Sequence, residues 1–98
     1  MGKPIAVTSS GVVGDVVVFD TDRSITGQDG IGFGSGADGV AAGSLPGSLA
    51  ARLFEVVPGL TNAFVASSQV VLRRSGGWDE AARAAAGATI AHFFVFYG

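Results

Sequence analysis

The chain has no cysteine, which removes a disulfide framework, a thiolate metal site, an iron–sulfur cluster held by its own sulfurs, and thiol catalysis. Basic residues are scarce: six Lys and Arg stand against eight Asp and Glu, and Arg73-Arg74 is the only adjacent pair. Nucleic-acid binding needs a basic stripe, and none is written here. Histidine occurs once, as His92, with no second His or carboxylate near it in sequence. Its position late in a helical stretch reads as a surface or capping residue rather than a general base or metal ligand. No serine completes a G-x-S-x-G elbow, so hydrolase chemistry has no nucleophile motif. These shortages together describe a chain that is not an enzyme and carries no cofactor.

Long apolar runs are also missing. The longest uncharged one, Ala84 to Gly98, falls short of the roughly 20 residues of a spanning helix. Asp15 interrupts the one signal-peptide candidate, and Ala6 stands where a myristoylation motif needs Ser or Thr. The expectation is a soluble, cytoplasmic protein with no membrane partner.

What is present is enough apolar material for one core: 48% of 98 residues, in a single domain over 1–98. The organising stretch runs from Ser44 to Arg74. Leu45, Leu49, Leu53 and Val56 or Val57 recur at helical spacing, and Pro58-Gly59 stops the helix. Leu60, Ala63 to Val65 and Gln69 to Leu72 then follow as β-type runs around the turn Ser67-Ser68.

Upstream, Ile5 to Val7 and Val12 to Asp20 read as two strands joined through Ser9-Ser10-Gly11. The β-branched run Val16 to Phe19 suits a strand buried on both faces. Glycine dominates about 27–43, which reads as a mobile loop with a short edge strand around Ile31 to Phe33. Within it Gly32, Gly34 and Ala37 fit G-x-G-x-x-A. The polar residues before it and Asp38 inside it argue against a phosphate cradle, so anion or nucleotide binding is the weaker alternative. Asp15, Asp20, Asp22 and Asp29 read as turn formers at strand ends, since only Asp20-x-Asp22 matches calcium-loop spacing.

Downstream, Trp78 opens a last helix whose start is acidic at Asp79 and Glu80. Ala82, Ala85, Ala86, Thr89 or Ile90, Phe93, Phe94 and Tyr97 keep its spacing. The fold expected is α+β: a two-layer sandwich of a mainly antiparallel sheet with two helices, near 45–57 and 78–94, packed on one face.

Ser48-Leu49-Ala50-Ala51-Arg52-Leu53-Phe54-Glu55-Val56-Val57-Pro58-Gly59-Leu60 resembles the SPLAxxLFxxPGV run of the N-terminal domain of Nfu/NifU-like scaffold proteins. Asn62 to Arg73 is similar to that family's GVFFGSDFITVTK hairpin, Trp78-Asp79 to the tryptophan opening its last helix, and Ile90 to Phe93 to that helix's end. The resemblance covers the C-terminal half. In the N-terminal half the family's TPNPxTLKF segment keeps only Thr8 and the strand Val16 to Phe19.

The resemblance implies a non-catalytic accessory module that works by protein contacts in iron–sulfur cluster assembly. Its partner would be a cluster scaffold or a recipient apoprotein. A self-associating structural domain, a homodimer, is the alternative. The candidate contact residues are Arg73, Arg74 and Trp78, because Arg and Trp are enriched at binding hot spots and the Gly76-Gly77 break leaves Trp78 near one end of the sheet. The opposing reading has Trp78 plugging the sheet edge and both arginines solvated.

Overall fold

The computed structural model describes residues 7–21 and 30–97. Among them the chain begins with a hairpin, β1 (Val7–Val13) and β2 (Val16–Thr21). Val13 pairs with Val16, so Gly14-Asp15 is a two-residue turn, and Gly14 takes the positive φ (59°) that such turns require. This corrects the placement of the joint at Ser9-Ser10-Gly11. Those residues form a bulge inside β1, where the register shifts between Ser9 and Gly11. Ile5 lies outside the described residues.

A short strand β3 (Ile31–Phe33) precedes helix α1 (Gly36–Ala42), and α2 (Leu45–Val56) follows directly. Then come β4 (Leu60–Ala66), β5 (Gln69–Arg74) and α3 (Glu80–Tyr97). The five strands form one antiparallel sheet in the order β1-β2-β5-β4-β3. The fold is α+β, as the helical and β periods of the sequence require.

Helix α1 falls in the glycine-rich stretch, where a loop was expected. Three local devices allow it. Ser35 caps its start by accepting from the Asp38 N–H at 3.1 Å, Asp38 lies in the first turn, and Gly43 closes the end in the left-handed region. The fourth is tertiary. A methyl built on Gly39 would stand 2.5 Å from the Gly47 carbonyl oxygen and 2.9 Å from the Ala51 nitrogen, so α1 meets α2 almost backbone to backbone. Helix α2 starts at Ser44, whose Oγ accepts from the Gly47 N–H at 3.3 Å, with Pro46 in the first turn. It ends just before Pro58.

Helices α2 and α3 lie on the same face of the sheet, α2 over β3 and β4 and α3 over β1. The core sits between the layers. Val17, Phe19, Phe33, Ala63, Val65, Val70 and Leu72 come from the sheet, and Leu49, Leu53, Val57, Ala86, Ile90 and Phe93 from the helical layer. Strand β2 is not buried on both faces as its composition suggested. Val17 and Phe19 are buried while Val16 and Val18 are only half-buried, because the helices cover one side. Gly87 stands at ordinary contact distance from the Phe19 ring, 3.5 Å from a built methyl, so the helix–sheet approach does not depend on it.

Candidate functional site

Arg73, Arg74 and Trp78 meet at one end of the sheet, where the turn between β1 and β2 packs against the segment joining β5 to α3. Asp15 organises the corner. Its backbone carbonyl accepts from the Arg74 N–H at 2.9 Å and from the Trp78 indole Nε1–H at 2.8 Å. The Trp78 ring is half-buried and packs against the core, which leaves the indole donor aimed at a carbonyl 63 residues upstream. The Gly76-Gly77 break lets the chain fold the ring back onto the sheet, and α3 begins immediately after, with Asp79 Oδ1 accepting from the Ala82 N–H at 2.7 Å.

The two arginines differ in kind. Arg74 ties loops together: its Nε donates to the Pro58 carbonyl at 2.8 Å and its Nη1 to the Gly77 carbonyl at 2.7 Å. A guanidinium presents a fork of fixed donors, so one side chain holds the α2–β4 corner and the β5–α3 turn together. Arg73 points to the opposite face of β5, and its side chain is 57% exposed. Its Nε lies 3.7 Å from Asp15 Oδ1, too long for a hydrogen bond, and an exposed pair of this kind contributes little to stability. Of the three residues, Arg73 alone has its charged group mostly in water and uncommitted to backbone carbonyls.

The other polar residues raised by the sequence are dispersed. Asp20 Oδ1 accepts from Gln69 Nε2 at 2.9 Å across the β2–β5 pair. Asp22 and Asp29 lie outside the described residues. His92 is exposed, and its Nδ1 donates to the Ala88 carbonyl one helical turn back at 2.9 Å, which makes it a helix-surface residue. Among the described residues no three His, Cys, Asp or Glu side chains group as metal ligands, and no helix is long and apolar enough to cross a membrane.

The G-x-G-x-x-A residues span β3, the turn after it and the start of α1. An open groove of about 460 Å³ lies there, lined by Gly34, Ser35, Gly36, Phe54, Glu55 and Leu60. Glu55 on its wall is exposed and paired with Arg52 at 3.4 Å, Asp38 stands beside Gly34, and Ser35 already takes the Asp38 N–H.

One feature of the molecule was not legible as a site in the sequence. Residues that pair directly across strands share a face, so the side of the sheet away from the helices can be read from the register. Its middle row is Val18, Val71 and Phe64. One flanking row is Asp20, Gln69 and Ala66, and the other is Val16, Arg73 and Asn62. The alternation in β2 and β5 was visible, but a β-branched run conceals which members face outward.

Comparison with family models, with characterised proteins and with solved structures finds no match to this chain.

Proposed function

We propose that this domain is a non-catalytic protein-contact module of the kind that accompanies iron–sulfur cluster scaffolds, and that it meets a scaffold or a recipient apoprotein at the Asp15–Arg73–Trp78 corner. The observation that carries the reading is the exposed guanidinium of Arg73 next to Asp15, whose backbone carbonyl holds the half-buried Trp78 on a frame braced by Arg74. Arg and Trp are among the residue types enriched at binding hot spots, and a rigid frame loses little entropy on contact. The resemblance supports the partner class. Two of the segments that carry it, Ser48 to Leu60 and Asn62 to Arg73, build most of α2, the corner at Pro58-Gly59 and the β4–β5 hairpin that frame this site.

The test is affinity capture by the immobilised domain, with iron–sulfur scaffolds and recipient apoproteins identified in the bound fraction. Arg73→Glu is the informative variant, since Arg74→Glu would also dismantle the frame. The expected result is capture lost in Arg73→Glu while its thermal unfolding matches the parent chain. A folded Arg73→Glu domain that captures the same proteins as well as the parent removes the corner from consideration.

A further inference from the structure

We propose that the helix-free face of the sheet is a self-association surface, which pairs with a second copy of this chain around a two-fold axis lying along the Val18–Val71–Phe64 row. It shares Arg73 with the corner contact, but Val71 and Phe64 lie outside that corner and separate the two readings.

Three observations carry it. The first is composition. Val16, Val18 and Val71 are half-buried on this face and Phe64 is 42% exposed, although none of them contributes to the core between the layers. A sheet face turned to water ordinarily alternates to polar residues. The second is the charge on its two sides. Asp20 lies in the row flanking the apolar one on one side and Arg73 in the row flanking it on the other, on adjacent strands. The third is that both charges keep capacity for a partner: Gln69 engages one carboxylate oxygen of Asp20, and the Arg73–Asp15 contact is 3.7 Å long.

An apolar row with acid along one side and base along the other is self-complementary, and this decides the occupant. A two-fold axis along the row stacks the faces with strands reversed. Val71 then meets the second copy's Val71, and each Arg73 comes within diagonal reach of the other copy's Asp20. Both unlike-charge contacts form at once, as an isologous interface requires. An axis along the strands would instead bring the two Arg73 guanidinium groups together. The charges therefore select one arrangement. Five strands about 4.8 Å apart and three to seven residues long offer only several hundred Å² per copy, at the low end of specific interfaces, so the dimer is weak and reversible.

Sedimentation equilibrium of the full chain from about 10 µM to about 1 mM tests this, a range that brackets weak dimers. The expected result is a mass rising toward two copies with concentration. Val71→Lys, and independently Phe64→Gln on the neighbouring strand, should hold the mass at one copy with unchanged circular dichroism. Asp20→Arg and Arg73→Asp should each weaken self-association about tenfold or more, because each sets like charges together. Mixed, these two chains should restore it, one now carrying base and the other acid on both sides of the row. The proposal is overturned by a one-copy mass across the range, by a dimer that survives Val71→Lys or Phe64→Gln, or by charge variants that fail to associate with each other when mixed.

Discussion

The two faces of this sheet are built from the same strands and nearly the same residue types, yet they have different fates. On the helix-covered face Val17, Val65, Val70 and Leu72 are sealed from water, with none of their surface exposed. On the other face Val16, Val18 and Val71 are the immediate neighbours of those residues in the chain and remain half in water. Stability therefore depends on one set and not on the other. What distinguishes them is the helical layer: α2 and α3 supply Leu49, Leu53, Ile90 and Phe93 to one side only. Apolar character in a strand says that a face can be buried; it does not say by what.

The sharpest way to break that contrast is to truncate neighbours in β5 that point to opposite faces. Leu72→Ala, on the covered face, should cost about 2–5 kcal/mol in urea unfolding, and Leu53→Ala, in the same buried cluster from α2, a similar amount. If either loses only a few tenths, the packed layer is misplaced. A smaller effect tests whether α1 belongs to the covered layer. Gly39→Ala drives a methyl into the Gly47 carbonyl, and about 1–3 kcal/mol should be lost as α1 shifts away from α2. Unchanged stability, with the α1 amides still protected from exchange, would show the helices were never that close.

Arg74→Ala comes next, at about 1–2 kcal/mol, because the Pro58 and Gly77 carbonyls lose a charged donor but can still reach water. Its neighbour on the open face, Arg73→Ala, should stay within about 0.5 kcal/mol of the parent. Equal losses would erase the distinction between a bracing arginine and a contact arginine. Val71→Ala should be similarly mild in dilute solution, below about 1 kcal/mol, since its methyls are only partly removed from water. A loss there as large as that of Leu72→Ala would mean that the open face is as necessary to the monomer as the covered one.

Much of this architecture was legible because its signals are local. The leucine spacing of α2, the Pro58-Gly59 stop, the Ser67-Ser68 turn and the acidic start of α3 each act within a few residues of where they stand. Any fold containing these segments would show them, so helix, hairpin and helix could be read in order. Strand alternation by itself sends Arg73 and Arg74 to opposite faces, which follows from backbone geometry alone. Only the tertiary structure decided the rest, because the deciding atoms are distant in the chain. A helix at Gly36–Ala42 opposes glycine's intrinsic preference, and it forms where Gly39 can lie against Gly47 and the bare backbones pack. Whether Gly11 or Gly14 made the first turn depended on which register buried Val17 and Phe19, since a one-residue slip would have turned both to water. Trp78 and Arg74 found their roles through carbonyls of Asp15, Pro58 and Gly77. Every residue offers such a carbonyl, so nothing in the sequence marks these three, and only the folded chain brings them within reach.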